Sequence, residues 1–127
     1  MLMHFDSERP VFLQVAEKME DAILTGAFEE EQQVPSTTEL SVSCKINPAT
    51  ALKGINLLVE DGILYKKRGV GMFVCTGAAE KIRSKRRMAF LHQRLEELSE
   101  EAQKLGITKR EVIRLIETGF PQWKDEP

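Results

Sequence analysis

The sequence is poor in cysteine: Cys44 and Cys75 are its only two, with no CxxC pair and no Cys/His cluster around either. A disulfide framework and a structural zinc site are therefore not indicated, and the thiols read as reduced and partly buried, a redox switch being the alternative. His4 and His92 stand alone, so no metal is expected at either. No apolar run approaches the roughly 18 residues of a membrane span. The start, Met1-Leu2-Met3-His4-Phe5-Asp6, lacks the basic and apolar regions of a secretory signal. The expected location is cytoplasmic, without a membrane partner. Enzyme signatures are missing as well: no glycine-rich phosphate loop, no acid pair with a histidine in recognisable spacing, no Cys/His nucleophile arrangement. The reading is of a non-enzyme that needs no cofactor.

With 127 residues, 42% of them hydrophobic and 30% charged, the chain fits one compact domain or one domain with a short appendage. Its net charge of −2 conceals a segregation. Residues 1–40 hold 2 basic and 9 acidic side chains, residues 41–95 hold 11 and 3, and residues 96–127 hold 5 and 8. A basic middle between acidic ends points to an anionic partner, nucleic acid above all, or to a solvated basic surface.

Within that middle lies a helix-turn-helix pattern. Phe12, Val15, Met19 and Ile23 recur at helical steps after Pro10, giving a first helix that Gly26 ends. A Gly- and acid-rich turn follows to Gln33. Ser36 and Glu39 have capping-box spacing and open a short helix from about Thr37 to Cys44. Asn47 can cap the next helix with Pro48 in its first turn, and that helix runs to about Glu60. On a helical wheel Ala51, Leu52, Ile55, Leu58 and Val59 gather inward, while Ala49, Thr50, Lys53 and Leu57 gather outward. Two short helices, the second with a small, polar and basic face, describe a unit able to enter a major groove.

After Asp61-Gly62 the period changes from helix to strand. Ile63 to Lys67 and Met72 to Cys75 are β-prone runs around Arg68-Gly69-Val70-Gly71, a hairpin that reads as a wing. Lys66, Lys67 and Arg68 crowd it, either to meet phosphates or to guard an ordinary strand edge. A long helix is expected from about Ala78 to Leu105, with Met88, Leu91, Leu95, Leu98, Ala102 and Leu105 stepping 3, 4, 3, 4, 3 as a heptad seam. The seam predicts pairing with a second copy, or packing within the chain. Gly106-Ile107 stops that helix, and Thr108 with Glu111 caps a last one carrying Val112, Ile113 and Ile116.

Val34-Pro35-Ser36-Thr37-Thr38-Glu39-Leu40-Ser41, Ile46 to Lys53, Leu57 to Leu64 and Arg68 to Val74 resemble, in order and spacing, the winged-helix domain of the GntR family of bacterial transcription regulators. The Asn-Pro-x-Thr start of the third helix and the short helical tail resemble its YtrA subfamily. The resemblance implies a mainly α fold with a small β-hairpin. A winged helix-turn-helix would occupy residues 1–76, and a two-helix dimerisation and effector region residues 77–127. It further implies a homodimer on an inverted-repeat double-stranded DNA operator, commonly near genes for an ATP-binding-cassette transporter and its own gene. Carried over by position, Ser36, Thr37 and Thr38 lie at the second helix, Asn47, Ala49, Thr50 and Lys53 on the recognition helix, and Lys67, Arg68 and Gly69 at the wing. Met88, Leu91, Leu95, Leu98, Ala102, Leu105, Ile113 and Ile116 would form the dimer contact. Any small-molecule effector is unidentified, because no pocket is legible in the sequence.

The departures matter. Thr38 stands where family members usually carry Arg, and Pro48 and Leu52 where many members outside the YtrA subfamily do, so bidentate contacts to guanine or phosphate are lost there. Lys53 is the leading candidate on the recognition helix for a base or phosphate contact, a solvated face being the alternative, and for Asn47 simple capping is the alternative to a DNA contact. Lys81, Arg83, Lys85, Arg86 and Arg87 on the linker helix either approach nucleic acid or keep a surface wet. A winged helix used only for protein contact is the alternative to a DNA reader.

Overall fold

A computed structural model describes residues 4–127; Met1–Met3, part of the segment read for a secretory leader, lie outside the described residues. The chain forms two compact units, the first ending at Lys85 and the second running Arg86–Pro127.

The first unit opens with α1 (Val11–Leu24), which starts after Pro10 without a side-chain cap. Gln14 instead ties down the chain ahead of the helix: its amide Nε2 donates to the carbonyls of Asp6 and Arg9 at 2.7 and 2.9 Å, and its Oε1 accepts from Asp6 N–H at 2.7 Å. That buried amide is thereby fully used, as burial of a polar group demands. Strand β1 (Gln33–Val34), α2 (Thr37–Cys44), α3 (Pro48–Glu60), β2 (Leu64–Lys67), β3 (Gly71–Val74) and the beginning of α4 (Ala78–Ala89) complete the unit.

The sheet has three strands, not the two of a bare hairpin. β1 pairs antiparallel with β3 on the side away from β2, matching Val34 to Met72 and Gln33 to Phe73. The turn expected through Gln33 ends early because Glu31 takes a left-handed φ of 66° and its N–H donates to Val74 O at 2.8 Å, which aligns the chain for pairing. In the β2–β3 ladder Leu64 faces Val74 and Lys66 faces Met72.

One core joins the elements. Val15 and Met19 of α1, Leu40 of α2, Ala51, Ile55 and Leu58 of α3, Leu64 and Val74 of the sheet, and Ala78 and Ile82 of α4 are all buried. The Val, Leu, Ile and Met side chains among them each contribute about 1.5–3 kcal/mol when removed from water. Glycine at position 54 lets α1 approach α3 closely, since a Cβ there would lie 2.8 Å from Phe12 O. The unit extends nine residues past the expected boundary at 76 because Ala78 and Ile82 belong to its core. Lys85 then ties α4 down, pairing with the buried Glu20 of α1 and, at 3.0 Å, with Asp61 at the end of α3.

In the second unit the expected uninterrupted α-helix contains a π-helical turn, Phe90–Arg94, before α5 (Leu95–Lys104). A π turn holds an extra residue relative to the α-helix. Met88 and Leu91 on one side and Leu95, Leu98, Ala102 and Leu105 on the other therefore do not continue as one strict heptad stripe. Gly106, with φ of 70°, ends α5: its N–H donates to Gln103 O and Ile107 N–H reaches Ala102 O at 2.8 Å. These two bonds are the pairing of a Schellman stop. Thr108 and Glu111 form the capping box of α6 (Lys109–Gly119).

Candidate nucleic-acid interface

Three pieces of backbone converge on one face of the first unit: the start of α2, the exposed side of α3 and the wing. Ser36 Oγ accepts from Glu39 N–H at 3.1 Å, and the Glu39 carboxylate accepts in return from Ser36 N–H at 3.4 Å. Thr37 and Thr38 follow in the first turn of α2, Thr38 exposed. The chain reverses at Lys45, whose φ of 54° is left-handed. Asn47 then caps α3, its Oδ1 accepting from Ala49 N–H at 2.8 Å.

On α3 the inward side is Ala51, Gly54, Ile55 and Leu58. Leu52 and Val59, read from the wheel as inward, are 48% and 38% exposed. Both lie at the edge of a groove between α3 and the wing, so a residue at the margin of the apolar stripe faces whatever the next element leaves open. Leu57, read as outward, is half-buried. Of the residues expected outward, Ala49 is exposed and Thr50 is half-buried. The Lys53 ammonium sits 4.0 Å from the centre of the Phe12 ring of α1, a cation–π contact.

The wing tip is a turn closed by Val70 N–H donating to Lys67 O at 2.9 Å, with Gly69 at φ 77°. Arg68 and Gly69 project there, exposed. The two lysines before them diverge because successive strand residues face opposite ways. Lys67 lies over the Phe73 ring at 4.5 Å, on the side where Tyr65 stacks on Phe73. Lys66 turns to the other side and lines the groove of about 450 Å³ between α2, α3 and the wing, together with Thr38, Leu52 and Asn56. Gln33 Nε2 donates to Val70 O at 3.0 Å and steadies the wing tip from β1.

Asn56 is the residue that the wheel reading overlooked. It is exposed on α3 and lines both this groove and a smaller hollow formed with Ala49, Lys53 and Glu60. The signal was present in the sequence: Asn56 follows Lys53 by three residues and Ala49 by seven, so all three share one helix face.

Beneath the wing, Glu31 accepts from Tyr65 Oη at 2.6 Å and from Thr76 Oγ1 at 2.8 Å. Those hydrogen bonds hold its carboxyl below the usual carboxylate range and raise the Tyr65 hydroxyl above its own. Lys81, Arg83 and Lys85 of the linker helix are engaged within the chain. Lys81 Nζ donates to Gly62 O at 3.3 Å, Arg83 approaches Glu80 at 3.8 Å, and Lys85 bridges Glu20 and Asp61. Cys44 is buried and Cys75 half-buried, neither is joined in a disulfide among the described residues, and burial pushes the Cys75 thiol up.

In the second unit Met88, Leu91, Leu95, Leu98, Leu105 and Ile113 are exposed, Ile116 is half-buried and Ala102 is buried. A cleft of about 470 Å³, not legible in the sequence, opens between α5 and α6, lined by Leu95, Leu98, Ala102, Ile107 and Val112 with Gln103 and Lys109 beside them.

Residues 12–74 match the model of the bacterial regulatory proteins of the gntR family. The crystal structure of a GntR-family transcriptional regulator from Bacteroides thetaiotaomicron superposes with a TM-score of 0.74 at 31% identity, covering 88% of this chain and 97% of that one. The chain belongs to the GntR family. Among GntR relatives, the transcriptional repressor YtrA of Bacillus subtilis is 26% identical over 80% of this chain and 77% of its own length, and the present regulator is of that YtrA-like kind. The isolated DNA-binding domain of AraR, solved in complex with operator ORX1, matches 59% of this chain and 95% of its own at 30% identity and a TM-score of 0.54. Among the described residues no helix is long and apolar enough to cross a membrane.

Proposed function

We propose that this GntR-family chain is a cytoplasmic, non-enzymatic, sequence-specific DNA-binding repressor that acts as a homodimer on an inverted repeat. The observation that carries the reading is the shared exposed face formed by the start of α2, the outer side of α3 and the Arg68-Gly69 wing tip. In this reading α3 enters the major groove, Ser36, Thr37 and Thr38 approach the backbone, and Asn47, Ala49, Thr50 and Lys53 lie at the start of the recognition helix. Lys67, Arg68 and Gly69 meet phosphates or the minor groove beside it. The AraR domain bound to its operator supports this use of the fold.

Two recognition helices need a spacing of about 34–36 Å, one turn of DNA, which a symmetric dimer provides. The exposed apolar residues Met88, Leu91, Leu95, Leu98 and Ile113 support the region after 77 as the dimer contact. An effector would act by favouring one arrangement of the paired heads. The α5–α6 cleft has the size and mostly apolar lining for a small apolar or amphipathic ligand.

Sedimentation tests the assembly. The wild-type chain should run as a dimer and bind an operator duplex two chains at a time, while Leu95→Glu should run as a monomer. A dimeric Leu95→Glu would remove Leu95 and its stripe from the contact. A wild-type chain that ignores duplex DNA would leave the winged helix as a protein-contact module.

A further inference from the structure

Among the polar side chains on the outer face of α3, most are already committed. Asn47 has its Oδ1 bound to Ala49 N–H at 2.8 Å in the helix cap. Lys53 has its ammonium over Phe12 at 4.0 Å. Thr50 is half-buried, and Ala49 and Leu52 offer only apolar surface. Asn56 differs from all of these. Its side chain is exposed, is hydrogen-bonded to no described residue, and stands on the groove wall facing Lys66 and the wing.

A free primary amide presents an N–H donor and a carbonyl acceptor side by side. In the major groove that pair matches adenine, whose N6–H donates and whose N7 accepts; guanine offers two acceptors and calls for a cation such as Arg. The neighbours of Asn56 suit the same base pair. Leu52 lies one turn earlier and is 48% exposed, and Ala49 lies two turns earlier. An exposed apolar side chain is the partner that a thymine methyl group fits. The absence of Arg at Pro48 and Leu52 takes guanine-reading groups from this face and leaves the amide as its one uncommitted donor–acceptor pair.

Resting on the DNA-binding reading above, we propose that Asn56 is a specificity-determining residue of this regulator. It makes a bidentate contact with an adenine in each half-site, while Leu52 packs against a thymine methyl of the adjoining A·T step. Lys66, across the groove, supplies charge towards the backbone and no base selectivity.

The test is enrichment of a randomised duplex library with the full-length wild-type chain, Asn56→Ala and Asn56→Arg. Wild type should enrich a motif with a fixed A·T pair in each half. Asn56→Ala should keep the rest of the motif and lose preference at that pair. Its affinity should fall roughly 5- to 150-fold per half-site, the range of one good bidentate contact, and by about the square of that factor for a dimer on the whole site. Asn56→Arg should select guanine at the same position, which gives a gain of signal that misfolding cannot imitate. If Asn56→Ala and Asn56→Arg both enrich the wild-type motif unchanged at every position, Asn56 reads no base and the proposal is overturned. If wild type enriches no motif at all, the DNA-binding reading fails first and the proposal with it.

Discussion

The ammonium of Lys53 on α3 lies 4.0 Å from the centre of the Phe12 ring on α1, so α3 and α1 are joined through a cation as well as through their apolar faces. An exposed contact of this kind contributes about 0.5–1 kcal/mol. Phe12→Leu keeps apolar bulk but loses the π face. Lys53→Ala should destabilise the wild-type chain by about that amount and have little effect in the Phe12→Leu background. Urea unfolding of the two single variants and the double variant measures the coupling; additive effects would show the contact to be energetically idle.

Close by, Gly54 sets the distance between the same two helices. A Cβ at this position would stand 2.8 Å from Phe12 O and 3.0 Å from Val15 Cβ. Alanine is the better helix former by about 1 kcal/mol, but overpacking against backbone costs about 1–3 kcal/mol. Backbone cannot swing aside as a lysine tip can, so the clash should prevail and Gly54→Ala should lower the unfolding midpoint. A raised midpoint would mean that α1 and α3 separate freely.

At the end of the first unit, Lys85 bridges the buried Glu20 and Asp61. Partial burial pulls its pKa down, but the hydrogen bonds to both carboxylates outweigh this and hold the ammonium above the ordinary lysine value. A group whose folded pKa is raised contributes stability that is fully present below its unfolded value, about 10.4, and is lost as pH rises through the folded one. Lys85→Met should cost about 1 kcal/mol at neutral pH, the low end for removing a buried group's partner, because the ammonium is 43% exposed and screened by water. Denaturant midpoints of wild type and Lys85→Met should converge above the lysine range; a gap that persists there would assign the loss to packing.

Local chemistry made most of this architecture legible. The capping boxes of Ser36 with Glu39 and of Thr108 with Glu111, the Asn47 cap before Pro48, and the Gly106 stop all depend on residues within a few positions of one another, and all form as read. What escaped depends on distant partners. β1 is two residues long and exists because Glu31 turns the chain onto β3. The exposure of Leu52 and Val59 is decided by where the wing stands, and the placement of Lys53 by a ring forty-one residues earlier. No spacing rule signals the π turn at Phe90–Arg94, which breaks the strict heptad register expected there. Asn56 is different, since its helix face was readable from position alone.

Arg68 at the wing tip is exposed. If it meets a phosphate, Arg68→Ala should weaken binding to all duplexes alike and reduce the slope of log affinity against log salt by about 0.9 per chain, about 1.8 for the bound dimer. Loss of discrimination with an unchanged slope would move Arg68 from the backbone to a base.

The most direct measurement is the affinity of the purified chain for the DNA immediately upstream of its own gene, against a scrambled duplex of equal length, at two salt concentrations. The expected result is tighter binding to the upstream duplex, two chains per site, with affinity falling steeply as salt rises. Equal binding to both duplexes would contradict sequence-specific recognition at that site, and no binding to either would contradict the DNA-reading function itself.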